Sequence, residues 1–179
     1  MATPLNSTEK QKCLDDAVYR VNCMMAYDLY LFIKEKYRNS NSVYATGHLL
    51  EPAIEISLAM GRQLLEFLQI KKDRNTETLY GTSTQQDNVT ISLYDPSLTV
   101  LPINDPLTTA NEIHLVRLIH LAHKSVAHFS RYVPTADEQN SLKQARLTIY
   151  ELMLKYIPEL LNFPLLWKER NNFLDAIQK

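Results

Sequence analysis

The sequence predicts an all-α protein: a four-helix up-and-down bundle with a long connection between the second and third helices and a short C-terminal helix, in one domain spanning 1–179. The first observation is the scarcity of glycine, with 3 in 179 residues, which leaves few of the tight turns that an all-β fold needs. The second is the recurrence of apolar residues at spacings of three and four in long segments. The third is that two of the connections are short, which favours antiparallel neighbours.

The first helix is predicted from a capping box and a long apolar stripe. Thr8 and Gln11 have the capping-box spacing, and the apolar positions after them indicate a helix of about 28 residues that ends before Asn39. Cys13 and Cys23 lie in this helix at a separation of roughly 15 Å, so they cannot form a disulfide with each other. The apolar positions of the stripe are Leu14, Val18, Val21, Met25, Leu29 and Phe32.

The second helix is followed by a long irregular excursion. Proline suits a first helical turn, so the helix is predicted to begin near Glu51 and Pro52 and to run to about Ile70. Its apolar face is broad, which requires cover from more than one neighbour. Residues 71–105 are rich in Thr, Asn, Gln, Ser and Asp, and we expect a small hairpin or short helical turns there. Val89–Tyr94 alternates like a strand without an evident partner.

Two further helices and a tail complete the predicted bundle. Asp105 and Pro106 open the third helix, which continues to about Tyr132. Thr135 and Glu138 form a capping box for the fourth helix, predicted to end near Tyr156. Prolines follow, and the remaining chain predicts a short terminal helix that contains Leu165, Trp167 and Phe173.

The charge and the terminus exclude several classes of protein. A formal net charge of −1 argues against a globally basic nucleic-acid binder, while a local basic patch stays open. There is no run of about eighteen apolar residues, and the N-terminal residues lack the basic start and apolar centre of a signal peptide. We therefore expect a cytoplasmic protein without a membrane-spanning segment.

A row of basic side chains along the third predicted helix is the main candidate site. A helical projection places five residues in one narrow sector, opposite an apolar face that contains Leu115, Leu118, Ile119, Ala122, Val126 and Phe129. We call this row the cationic stripe: His114, Arg117, Leu121, Lys124 and His128. Histidine titrates near neutrality and moves protons, while arginine and lysine neutralise phosphate. The stripe therefore indicates a phosphate-binding or proton-transferring surface, and the alternative is an ordinary solvated helix face.

No metal or other cofactor is predicted. Glu51 and Glu55 are a possible carboxylate pair, but the Glu-x-x-His motif of di-iron bundles is absent. His120 and His123 have an i,i+3 spacing without a neighbouring cysteine or acid, which is a weak metal signal. Glycine-rich phosphate loops, Gly-x-Ser-x-Gly and His-Glu-x-x-His are also absent.

Two segments resemble a known family. Residues 59–68, with Arg62 and Glu66, and residues 121–129, with Lys124 and His128, resemble small bacterial HEPN-like helical bundles over about 44–132. The resemblance implies a homodimer and, for many members, metal-independent ribonuclease activity from an Arg that precedes a His by four to six residues. Here Ala122, His123 and Lys124 stand where that arginine would precede His128. Only Arg117 and His123 satisfy the spacing, and they point about 120° apart on a helix.

The sequence thus leads to two functional hypotheses. The first is a non-catalytic, self-associating binding or regulatory module, a homodimer that contacts RNA or a partner protein. The second is a metal-independent endoribonuclease in which His128 is the general base while Lys124 and Arg117 stabilise the transition state. A purely structural dimer is the third possibility. The candidate binding residues are His114, Arg117, His123, Lys124, His128, Arg62 and Glu66.

Overall fold

The computed structural model describes residues 3–36, 47–82, 89–127 and 135–172, and this part of the chain is mainly helical, as predicted. Within these ranges no helix is long and apolar enough to cross a membrane. A two-stranded sheet lies between the second and third helices. The elements in chain order are α1 (Ser7–Lys36), α2 (Gly47–Phe67), β1 (Ile70–Lys72), β2 (Leu79–Gly81), α3 (Ile91–Tyr94), α4 (Pro106–Ala110), α5 (Glu112–Ala127) and α6 (Ala136–Tyr156).

The four long helices surround one apolar core. α1 packs against α2, α2 against α5, α5 against α6, and α6 against α1. Gly61 lies where α2 meets both α5 and α1: a Cβ at this position would be 3.2 Å from Leu118 Cδ1 and 3.5 Å from Met24 Sδ. A larger side chain at Gly61 would therefore push α2 away from its neighbours. The core includes Val21, Met24, Met25, Leu58, Leu64, Leu65, Leu115, Leu118, Leu142, Ile149, Leu152 and Met153.

The helix starts agree with the sequence at two of four places. α2 begins at Gly47, one turn before the predicted start near Glu51 and Pro52, so the proline lies inside the helix. Thr135 and Glu138 form the predicted capping box of α6. Asp105 caps α4 by accepting a hydrogen bond from the backbone of Leu107, with Pro106 in the first turn. The predicted capping box at Thr8 is wrong. The reciprocal bonds join Asn6 and Glu9 instead, at 3.0 Å and 2.9 Å, because Asn6 and Glu9 have the same spacing two residues earlier and asparagine is a strong N-cap residue.

α2 ends at Phe67, earlier than predicted, and a residue with left-handed backbone geometry follows two positions later. Gln69 has φ 62°, and the chain then enters β1 at Ile70. The Gln69 side chain is buried: its Nε2 donates to the carbonyl of Thr82 at 2.8 Å, and its Oε1 accepts from Ser92. These bonds hold a conformation that costs about 1 kcal/mol or more outside glycine. The expected hairpin is therefore present, formed by β1 and β2 in antiparallel register.

The segment 71–105 contains the expected short helical turns, whereas the prediction of one continuous third helix is wrong. Val89–Tyr94 alternates like a strand, yet Ile91–Tyr94 forms the helical turn α3, because Ile91 and Tyr94 both face the core at a helical spacing. The third predicted helix is interrupted at Asn111, whose side chain bonds back to Leu107 and whose carbonyl accepts the first backbone bonds of α5. Its predicted end, residues 128–132, lies outside the described residues.

The C-terminal region packs as a 3₁₀ turn followed by a short irregular segment. The turn covers Pro158–Asn162, and Leu165 is fully buried against the core. Residues 170–172 are helical, while Phe173 of the predicted terminal helix lies outside the described residues.

A buried ion pair connects the two helices farthest apart in the chain. Arg146 of α6 donates to both carboxylate oxygens of Asp28 in α1, at 2.5 Å and 2.8 Å, and the two side chains are 1% and 2% exposed. The guanidinium also lies 5.2 Å from the Tyr27 ring. Among the described residues Arg146 Nη1 has no hydrogen-bond partner. The pair thus fixes α1 against α6 with charge-assisted bonds between two buried side chains.

Candidate functional site

A large concave surface lies on the outer side of α5, and we call it the outer groove. It is bounded by the hairpin turn, by α4, by the first two turns of α5 and by the start of α6, and its volume is about 1070 Å³. The residues that line it are Glu77, Thr78, Thr109, Ala110, Glu112, Ile113, Val116, Arg117, His120, Thr135, Asp137, Glu138 and Ser141.

The periodicity of α5 determines which of its side chains reach the outer groove. Leu115, Leu118, Ile119 and Ala122 are buried, as the sequence predicts for the inner face of this helix. The opposite side then presents Ile113, Arg117 and His120 to the groove. Ile113 is 73% exposed, the highest value among the large apolar side chains of the described residues.

Two polar side chains of α5 are bonded to α6: Arg117, which lines the groove, and His114. Arg117 Nη2 donates to Glu138 Oε1 at 2.6 Å. The same carboxylate completes the capping box with Thr135, so one acid both starts α6 and holds the guanidinium. His114 Nδ1 shares a hydrogen bond of 2.9 Å with Ser141 Oγ. Two residues of the cationic stripe therefore serve as contacts between α5 and α6.

The cationic stripe is not one exposed row in the described part of the chain. Leu121, placed by projection in the middle of the stripe, is only 2% exposed. The projection assumed that α5 is covered on one side, whereas α2 and α6 both pack against it and bury a wider sector. Lys124 belongs to α5, but its side chain and the whole of His128 lie outside the described residues. The roles assigned to these residues stay predictions.

Three of the predicted binding residues do meet, on the other flank of α5. Arg62 Nε pairs with Glu66 Oε1 at 3.0 Å, as their spacing predicts, and Arg62 Nη1 donates to His123 Nδ1 at 3.4 Å. Burial lowers the pKa of His123, and the charge of Arg62 lowers it further, while Glu66 acts in the opposite direction. Burial and the charge of Arg62 both favour the neutral imidazole, whose Nδ1 can accept the hydrogen bond from Arg62 that ties α5 to α2.

The predicted site residues thus separate into two groups. His114 and Arg117 face α6, whereas Arg62, Glu66 and His123 form a bridge between α2 and α5. Arg117 and His123, the pair with the ribonuclease spacing, engage different helices. The two side chains point about 120° apart on α5, so each of them bonds to a different neighbouring helix.

The described residues offer neither a metal-binding cluster nor a reactive Cys13 thiol. No group of three or more His, Cys, Asp or Glu side chains in these ranges is placed to hold a metal ion. Cys13 and Cys23 are free, in agreement with their helical separation. Burial raises the pKa of the Cys13 thiol to about 11, with Asp16 adding to the increase, so this group is a poor nucleophile at neutral pH.

Sequence reasoning missed the apolar centre of the outer groove and the buried ion pair. Ile113 follows Asn111 and Glu112 and stands on the polar side of its helix, which is a usable signal of an exposed apolar residue. Asp28 and Arg146 each stand between apolar neighbours in a helical stripe. A charged residue in such a position indicates a buried charge, but the sequence does not identify its partner.

Together, the fold and the outer groove define a mainly helical protein that carries an open concave surface with exposed Ile113 in its lining. No family model matches the chain, and no significant match is found among curated proteins or solved structures.

Proposed function

We propose that this protein is a non-catalytic interaction module that binds a partner protein through the outer groove. The observation that carries this proposal is the exposure of Ile113, 73%, inside a concave surface. Isolated exposed apolar residues are ordinary, and Ile56 of α2 is one of them at 47%. Ile113 differs because exposed Ala110 and buried Val116 line the same concavity, so a partner can bury Ile113 and Ala110 together against an apolar floor.

The charge of the groove favours a protein over RNA. Four carboxylates line the surface, against one guanidinium and one imidazole. The guanidinium, Arg117, is already bonded to Glu138 at 2.6 Å. Phosphate contacts need unengaged cations, and a surface with excess carboxylate repels a polyanion.

The finer description of the fold is part of the same proposal. We assign the four long helices to an up-and-down bundle of the HEPN-like type, supported by their packing around one apolar core and by the resemblance of residues 59–68 and 121–129. In this assignment the protein is a member without nuclease activity, consistent with the engagement of Arg117 and His123 by different helices. A cytoplasmic location belongs to the proposal as well.

Homodimer formation is also proposed, through a face other than the outer groove. Two copies that met there would bring like carboxylates together, which is unfavourable. Sedimentation equilibrium tests this arrangement. We expect a dimer whose dissociation constant is the same for wild type and for Ile113→Ser, and loss of the dimer in the variant would contradict it.

A selection from an unbiased library of helix-forming peptides tests the proposed function. Purified protein is the bait. The affinity of each selected peptide is then measured for Ile113→Ser and for the matched variant Ile56→Ser, which removes an exposed isoleucine from α2. Burial of an isoleucine side chain contributes about 1.5–3 kcal/mol, so binders should weaken at least tenfold on Ile113→Ser and persist on Ile56→Ser. If no enriched peptide depends on Ile113, the proposal is wrong.

RNA assays test the alternative that the sequence left open. We expect no cleavage of structured or single-stranded RNA in the presence of a chelator, and no RNA affinity that falls steeply with salt. Chelator-resistant cleavage that His128→Ala abolishes would establish the ribonuclease and refute a non-catalytic module.

A further inference from the structure

The rim of the outer groove carries excess negative charge. Glu138 is neutralised by Arg117 at 2.6 Å, and Glu77 is paired with Lys72 at 3.0 Å. Glu112 accepts the backbone N–H of Leu79 at 2.7 Å, which leaves its charge in place. For Glu112 and Asp137 no ion pair is found in the described part of the chain. Two carboxylates therefore flank the apolar centre with their charge unmatched.

The hydrogen bonding and the length of the groove favour a helix over a strand as the occupant. Addition of a strand needs a free sheet edge, and the N–H of Leu79 in β2 is already used by Glu112. The α5 residues that line the groove extend from Glu112 to His120, which is about 12 Å or slightly more than two helical turns. Anchors at successive turns of a partner helix match this length.

We infer that the partner of the outer groove is a basic amphipathic helix, and this inference rests on the proposed function. The apolar stripe of the helix covers Ile113 and Ala110. Lysine or arginine side chains on both flanks of the stripe meet Glu112 and Asp137. Apolar contact supplies the affinity, while the charges determine which helices are accepted.

Three designed peptides test the inference. Each has 14 residues with leucine at every third or fourth position, and the remaining positions are all Lys, all Gln or all Glu. Fluorescence anisotropy gives the dissociation constant of each labelled peptide for the full-length protein in low salt. We expect the Leu/Lys peptide to bind about tenfold or more tightly than Leu/Gln, and Leu/Glu to bind least. Salt near 0.5 M should remove most of the difference between the first two.

Variants of the protein test whether the preference for the Leu/Lys peptide arises from the two carboxylates of the groove. Glu112→Gln combined with Asp137→Asn keeps an oxygen acceptor at residue 112 and removes both charges. It should weaken the Leu/Lys peptide about threefold to tenfold and leave Leu/Gln unchanged. The control is Glu55→Gln with Glu151→Gln, two exposed acids that do not line the groove, and it should change neither constant.

The outcomes separate the inference from the proposed function. If Leu/Gln or Leu/Glu binds as tightly as Leu/Lys and Ile113→Ser abolishes binding, the basic partner is refuted while the interaction module stands. The basic partner is equally refuted if no peptide binds, or if Ile113→Ser has no effect on the Leu/Lys peptide. The proposed function is then judged by the library selection, which presupposes no charge.

Discussion

The buried pair between Asp28 and Arg146 gives the sharpest test of the packing. Replacement of Arg146 by methionine fills much of the space but leaves a carboxylate that is 2% exposed without its two N–H donors at 2.5 Å and 2.8 Å. Removal of one partner from a buried ion pair typically costs about 3–5 kcal/mol. Native proteins are stable by only about 5–15 kcal/mol, so Arg146→Met should lose a large share of the free energy of unfolding.

The double variant Asp28→Leu with Arg146→Met distinguishes a buried charge from lost packing. It removes both charges and also the unsatisfied Nη1 of Arg146, so its stability should return to within about 1 kcal/mol of wild type. Urea unfolding followed by circular dichroism at pH 7 gives the free energies. The control is Arg20→Met, which breaks an exposed i,i+4 pair of 2.7 Å with Asp16 and should cost less than about 1 kcal/mol. The reasoning is refuted if Arg146→Met is as mild as the control or if the double variant equals the sum of the single ones.

Three further predictions concern other contacts of the fold. Gly61→Val should destabilise the protein by about 1–3 kcal/mol in urea unfolding, because its side chain meets Leu118, and a change near zero would contradict the close approach. Burial alone would raise the pKa of Asp105, but three hydrogen bonds lower it below its ordinary value. This acid therefore stabilises the fold above its unfolded pKa, near 4, and that stability is lost as the pH falls through the lower folded pKa. Asp105→Asn should flatten the acid side of the stability curve, and an unchanged slope would refute the assignment. Arg62→Gln should raise the pKa of His123 measured by NMR titration, without restoring its ordinary value because burial is the larger cause, and an unmoved titration would exclude their contact.

The bonds of Asp105 illustrate why acid should loosen one end of the bundle. Its carboxylate accepts from Lys155 at 2.6 Å and from the Tyr156 hydroxyl at 2.9 Å, both at the end of α6. It also accepts from the backbone of Leu107 at 3.0 Å at the start of α4. Protonation weakens all three bonds together, so the connection between α4 and α6 depends on a single ionised group.

Much of the fold is local and was predictable. Thr135 and Glu138 cap α6, and Asp105 caps α4, because those hydrogen bonds lie within three residues of sequence. The buried face of α5 also agrees with the prediction, since one apolar side of an amphipathic helix must turn inward. The prediction failed at Thr8 because Asn6 and Glu9 offer a competing box of the same spacing.

The candidate site depended on contacts that no local pattern specifies. Leu121 is buried and Arg117 is bonded to Glu138 because α6 covers one flank of α5, while His123 meets Arg62 because α2 covers the other. The sequence by itself determined where the long helices form and which side of α5 faces inward, through periodicity and capping. Only the tertiary structure decided which polar groups are engaged and which apolar residue, Ile113, stays exposed. The physical reason is that helix formation depends on neighbours within a few residues, whereas the cover of each flank depends on helices that are far away in the chain.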